Sequence, residues 1–230
     1  GGALRKLKHY SDFPTTTLVT ASINIHGLGL FSTGSAKLVQ LARFWKSSKI
    51  DILFVQEALV HAPKREAVER KLNNIFQAHT YFDIPKAGCQ KGCIIIVRNS
   101  ISHFVGKTVS LGSGRGVALR LHISPSFDIV CSSLYAPVSS QETKATGGAA
   151  RFWVEAERLV RSLVRKANDP PPVLFLIGAD LNARLSELDL FGNQRFDEEE
   201  GRPARAFIDN LGLVDMFRHV NGETRTPTFL

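Results

Sequence analysis

The chain has 230 residues, of which 43% are hydrophobic and 22% charged, and carries a formal net charge of +8 at pH 7. That is enough chain for one large domain with a sizeable core, and the composition is that of an ordinary soluble globular protein. No apolar run reaches the roughly 18 residues a membrane helix needs and no apolar signal-peptide core is visible, so an intracellular protein is expected, with the positive balance favouring polyanions, nucleic acid before anionic membrane, unless it serves solubility alone.

In chain order, "TLVTASINI" (17–25) is β-branched and apolar and reads as a strand ending on Asn24. After a glycine-containing loop, Leu38, Leu41, Ala42 and Trp45 recur at helical spacing. "IDILFVQEAL" (50–59) is nearly continuous in apolar residues, the pattern of a strand buried on both faces, and terminates in Gln56 and Glu57. "CIIIVRN" (93–99) is a further strand, and "GVALRLHI" and "FDIVCSSLYAP" flank a short "SPS" as a hairpin. The glycine-rich stretch "GSGRGVALR" (112–120) around Arg115 reads as a turn or as a phosphate cradle. Residues 149–167 place Phe152, Ala156, Leu159, Leu163 and Ala167 on one helical stripe, which "NDPPP" stops. The strand "VLFLIGA" follows. The acidic run "DEEE" (197–200) reads as a solvated loop. Pro203 is expected in the first turn of a last helix that buries Phe207, Ile208 and Leu211 and ends at Gly212. Three cysteines (Cys89, Cys93, Cys131) lack metal-ligand spacing and point to neither a zinc site nor a disulfide framework. Strand–helix units mixed with hairpins, without repeats or linkers, predict a single α/β domain over 1–230 that layers mixed sheets with helices.

Several strands stop on oxygen-bearing residues: Asn24, Glu57, Tyr135, then Asp180 and Asn182. Strand ends gathered on one edge of a layered sandwich would converge in one cleft. Mg²⁺ takes oxygen ligands, few of them from protein; Glu57 with the carbonyl of Asn24 suits that. Asp180 can orient or deprotonate a water attacking phosphorus, while asparagine and tyrosine can donate to phosphoryl oxygens as charge builds. Singly, each residue has a plainer reading: Glu57 as a helix N-terminal charge, Tyr135 as core cover, Asn182 as a turn residue.

The segments "SINIHGL", "FVQEAL", "SLYAPV", "IGADLNAR" and "TPTF" together resemble the successive motifs of the exonuclease–endonuclease–phosphatase superfamily, and among its members the apurinic-endonuclease-like nuclease domains of LINE-type (non-LTR) retrotransposons. The resemblance runs from residue 18 to 229. It implies a four-layer α/β sandwich of two mixed β-sheets flanked by helices, as in deoxyribonuclease I. It also implies Mg²⁺-dependent (with Mn²⁺ as substitute) nicking of double-stranded DNA in the nucleus, leaving a 3′-hydroxyl to prime reverse transcription, within a polypeptide that also carries a reverse transcriptase. By position, Glu57 would be the main metal ligand and Asn24 would join the metal and phosphate site. Tyr135 would contact the scissile phosphate, Asp180 would set the water, and Asn182 would hold a phosphoryl oxygen. Arg184 could reach DNA phosphate or remain a solvated arginine, and Thr228 would match the threonine of a late strand. His26, in the first motif, reads as substrate-side or simply exposed. The superfamily's closing serine–aspartate–histidine motif has no counterpart among the seven histidines. The last strands are therefore expected to be absent, leaving a sheet edge exposed. Two other readings remain: a non-catalytic DNA-binding relative, and a phosphoesterase of the same fold acting on phospholipid or inositol phosphate.

Overall fold

A computed structural model describes residues 17–27, 35–85, 91–138, 148–166, 172–189, 195 and 197–222. Its first sheet has the order β1-β2-β4-β3, formed by β1 (Thr20–Asn24), β2 (Ile52–Gln56), β3 (Ala78–Asp83) and β4 (Cys93–Arg98). The second runs β5-β6-β7-β8, formed by β5 (Val105–Ser110), β6 (Gly116–Ser124), β7 (Phe127–Tyr135) and β8 (Val173–Asp180). Both sheets are mixed: β1 is parallel to β2 and β7 to β8, and the other pairings are antiparallel.

Three buried clusters define four layers. Helices α1 (Ala36–Ser47) and α2 (Arg65–Phe76) set Leu38, Leu41, Trp45, Val68, Leu72 and Phe76 against the outer face of the first sheet. Ser35 caps α1 by accepting from the Leu38 N–H, and Gln77, left-handed at φ 49°, ends α2. Between the sheets lie Ile52, Phe54, Cys93, Ile95, Val97, Leu119, Leu121 and Cys131. On the far side, α4 (Gly148–Arg161) and α5 (Glu198–Leu211) bury Phe152, Trp153, Ala156, Phe207 and Leu211 against the second sheet. Two short helices, α3 (Asn99–Ser102) and α6 (Met216–Asn221), complete the set. This is the expected sandwich of two mixed sheets flanked by helices. Strands β2 and β4 are interior in their sheet and almost wholly buried, as a continuous apolar run requires.

The hairpin expected around "SPS" is β6–β7. Elsewhere local patterns gave way to tertiary context. The stretch 60–92, unassigned from sequence, contributes α2 and β3. The long helix ends at Arg161, although Leu163 beyond it is fully buried; Ala167 lies outside the described residues. Pro203 sits inside α5, not in its first turn, because the helix begins earlier. Asp197 is the N-cap and accepts from Glu199 N–H, and Glu198, Glu199 and Glu200 form the first turn. The acidic run is thus a helix start, where carboxylates meet the positive end of the dipole, and Gly212 closes the helix at φ 61° as expected. Cys93 and Cys131 are free and buried, and burial pushes both thiols up; Cys89 lies outside the described residues. Among the described residues β1 and β8 are sheet edges, and no helix is long and apolar enough to cross a membrane.

Candidate active site at the strand ends

The two parallel pairs aim their C-terminal ends the same way. Asn24 closes β1 opposite Gln56, and Tyr135 closes β7 opposite Asp180 at the end of β8. Strand β8 packs over β1 and β2, so the four ends meet at one mouth. That approach depends on Gly178. A Cβ there would fall 2.4 Å from Phe54 Cβ, and real Cβ atoms do not come that close. Past the strands, Ile25 N–H still donates to Gln56 O (3.1 Å) and Gly27 N–H to Glu57 O (2.7 Å). His26 (φ 45°), Glu57 (φ 52°) and Asn182 (φ 45°) are left-handed non-glycine residues at this rim. Such conformations are sparsely populated, and their clustering marks a place where the fold holds strain.

Asn24 is the clamp. Its Nδ2 donates to Glu57 Oε1 (3.0 Å) and to Asp180 Oδ2 (2.6 Å), joining carboxylates from different sheets. Its Oδ1 accepts from His26 N–H (3.0 Å). Because that backbone N–H can only donate, the amide orientation is settled, and Asn24 presents its NH₂ to the carboxylates. Glu57 Oε2 also lies 2.8 Å from His26 Nδ1, and Tyr135 hydrogen-bonds the same carboxylate. Burial pushes the Glu57 carboxyl up, but hydrogen bonds from Asn24, His26 and Tyr135 outweigh it, so the group stays an anion well into acid. The Tyr135 phenol is pushed up to about 12, first by burial and then by the bond to Glu57 and its charge. It therefore remains an O–H donor at neutral pH. Asp180 Oδ1 accepts from Asn182 N–H (3.2 Å), and Asn182 Nδ2 donates to Ala136 O (2.8 Å), which fixes the Asp180–Asn182 turn.

The support behind these groups is partly buried polar structure. Gln56 is 1% exposed and donates through Nε2 to Ser133 Oγ (3.1 Å) and Gly178 O (3.2 Å), tying the sheets together one residue before Glu57. Asp83, also 1% exposed, accepts from Gly112 N–H (2.9 Å) and Gly116 N–H (3.0 Å), gathering the glycine-rich loop around one carboxylate. Within that loop Arg115 donates to Tyr135 O (3.1 Å) and stacks its guanidinium 5.0 Å from the Tyr135 ring centre.

The structure therefore brings together Asn24, Glu57, Tyr135, Asp180 and Asn182, five of the seven residues singled out in the sequence. Arg184 is tied by its guanidinium to Glu200 of α5 (3.5 Å), and Thr228 lies outside the described residues. Residue patterns alone gave no role to Gln56, Ser133 or Asp83. Arg115 reads from sequence only as part of a glycine-rich turn or phosphate cradle, and its stacking depends on contacts between distant segments.

The donor set suits a hard divalent cation of the Mg²⁺ kind, which keeps most of its water and asks for one or two protein oxygens. Glu57, held anionic at a partly open rim, supplies one. Among the described residues no group of three or more histidine, cysteine or acidic side chains is arranged to hold a metal ion.

No protein-family model and no curated protein sequence matches the chain. Solved structures do. An AP endonuclease, LMAP, from Leishmania major superposes with a TM-score of 0.70 at 17% identity, covering 87% of this chain and 68% of that one. The chain has the AP-endonuclease fold. An AP endonuclease from Archaeoglobus fulgidus gives 0.66 at 17% identity over 93% of this chain and 78% of that one. The Xenopus laevis APE2 catalytic domain gives 0.57 at 16%, over 83% and 66%.

Proposed function

We propose that the chain is a divalent-metal-dependent endonuclease that nicks double-stranded DNA by water attack on a phosphodiester. The observation that carries this reading is the convergence of Asn24, Glu57, Tyr135, Asp180 and Asn182 at one strand-end mouth, with Asn24 bridging the Glu57 and Asp180 carboxylates. The AP endonucleases of the same fold favour DNA over a small phosphoester, whereas the net charge of +8 suits either anion.

In this reading Asp180, held at both carboxylate oxygens by Asn24 and Asn182, orients the attacking water and accepts its proton. Tyr135, protonated at neutral pH, and the Asn182 amide donate to the phosphoryl oxygens as charge builds on them. Glu57 is the metal ligand, and Asn24 sets the carboxylates rather than ligating through its carbonyl. When bound, the cation neutralises charge on the phosphate and positions it. The P–O3′ bond breaks, leaving a 3′-hydroxyl and a 5′-phosphate. The finer assignment is a LINE-type retrotransposon nuclease acting in the nucleus, whose 3′-hydroxyl primes a reverse transcriptase of the same parent polypeptide; it rests on the motif resemblance.

The test is to nick duplex DNA and challenge the product. A polymerase should extend the nick with no end repair, and excess duplex DNA should compete far better than an inositol phosphate. Better competition by the small phosphoester would reassign the site to the phosphoesterase reading.

A further inference from the structure

Glu57 has a neighbour that the nuclease reading leaves without a task. His26 Nδ1 lies 2.8 Å from Glu57 Oε2, although the imidazole is 86% exposed. Its main chain is fixed on every side. His26 N–H donates to Asn24 Oδ1 (3.0 Å), His26 O accepts from Lys37 Nζ (3.1 Å), and Ile25 O accepts from the same ammonium (3.2 Å). The next residue, Gly27, donates its N–H to Glu57 O (2.7 Å). The clamp holds His26 left-handed at φ 45°, facing a glutamate that is itself left-handed. An exposed side chain held by a strained, multiply tethered backbone against a carboxylate is positioned for a ligand.

Metal–nitrogen and metal–oxygen bonds of about 2.1 Å at a right angle put the two ligand atoms about 3.0 Å apart. The His26–Glu57 spacing matches that within a few tenths of an ångström. We infer that His26 is a second protein ligand of the cation at Glu57, making the site an imidazole–carboxylate pair that prefers a transition-metal dication such as Mn²⁺ to Mg²⁺. Imidazole binds hard Mg²⁺ poorly and first-row transition metals well, so one nitrogen in an otherwise oxygen site shifts the preference. Ligation uses the ring with its proton on Nε2, and the cation replaces the hydrogen bond that joins the two side chains. The inference rests on the proposal that Glu57 binds the cation.

The experiment measures Mn²⁺ binding by electron paramagnetic resonance of the free ion, and Mg²⁺ binding by calorimetry, on the whole chain without DNA. Parent, His26→Ala, His26→Asn and Glu57→Gln are compared, with circular dichroism as the check on folding. Asparagine tolerates the left-handed region, so His26→Asn keeps the loop if alanine does not. The parent should bind Mn²⁺ more tightly than Mg²⁺. Either His26 variant should lose about tenfold in Mn²⁺ affinity while Mg²⁺ affinity holds within about twofold, and Glu57→Gln should lose both ions. Unchanged Mn²⁺ affinity in the folded His26 variants, or an equal fall for both ions, overturns the ligand assignment. If Glu57→Gln keeps both affinities, the metal site itself has been placed wrongly.

Discussion

Replacing Gly178 with alanine should damage the protein at the contact between the sheets. The added Cβ would meet Phe54 Cβ at 2.4 Å, Cγ at 2.5 Å and Cδ2 at 2.7 Å. Ordinary contact begins near 3.4 Å, so β8 and β2 must part by about 1 Å. The nearest atom is a Cβ, which no rotamer change moves, so the backbone must yield. Overpacking in a dense core costs about 1–3 kcal/mol, and this contact belongs at the upper end. A loss of about 3 kcal/mol lowers the melting temperature of a chain this size by roughly 6–12 °C. Because Asp180 lies two residues along β8 and Glu57 just past β2, the site should also open, and about 1 Å of misplacement can cost about 100-fold in rate. Thermal denaturation followed by circular dichroism, with plasmid nicking below the transition, reads both effects. Phe54→Ala in the same background keeps the offending Cβ and should not rescue either one. A Gly178→Ala protein that melts with the parent, or full rescue by Phe54→Ala, would refute the reasoning.

Other expectations follow from the same contacts. Asn24→Ala removes the amide between the two carboxylates at an exposed rim, so nicking should fall about 100-fold while the melting temperature stays within a few degrees. Arg115→Gln strips the guanidinium from behind Tyr135; the nicking rate should drop and Tyr135→Phe in that background should cost less than in the parent, a coupling that a double-mutant cycle measures. At the opposite end of the second sheet, Asp128 is fully buried and held by Arg165 (2.6 and 2.7 Å) and His122 (3.0 Å). Burial pushes this carboxyl up, but those partners outweigh it and hold it below the usual range. A depressed folded pKa stabilises above the unfolded value and loses that stabilisation as pH falls through the folded one. Asp128→Ala should therefore cost about 3 kcal/mol at pH 7 in urea unfolding, with the gap to the parent narrowing below about pH 4.

Much of the fold is legible in the residues because local and global preferences agree there. The unbroken "ILFV" run reads as a strand buried on both faces, "CIIIV" reads as a further strand, and Gly212 reads as a helix stop. The site is legible for a different reason: oxygen-bearing residues at the ends of apolar strands have no local purpose, so their recurrence pointed to a shared cleft. What stayed hidden needed distance information. Asp83 falls in the stretch 60–92 that residue patterns leave unassigned, and its part shows only once the loop 112–116 is seen folded around it; Pro203 signals a helix start until Asp197 is seen to cap that helix earlier. Arg184 reads as a phosphate contact or a solvated arginine, and its pairing with Glu200, sixteen residues on, shows only in the folded chain.

The most direct test of the central claim is nicking of supercoiled plasmid by the chain with Mg²⁺ or Mn²⁺, beside an EDTA control and folded Asp180→Ala and Glu57→Ala variants. Metal-dependent conversion to open circle that both variants lose is the predicted result. A folded parent chain that binds duplex DNA yet never nicks with either ion, or an Asp180→Ala variant that nicks as fast as the parent, would contradict the account and leave a DNA-binding module in a nuclease fold.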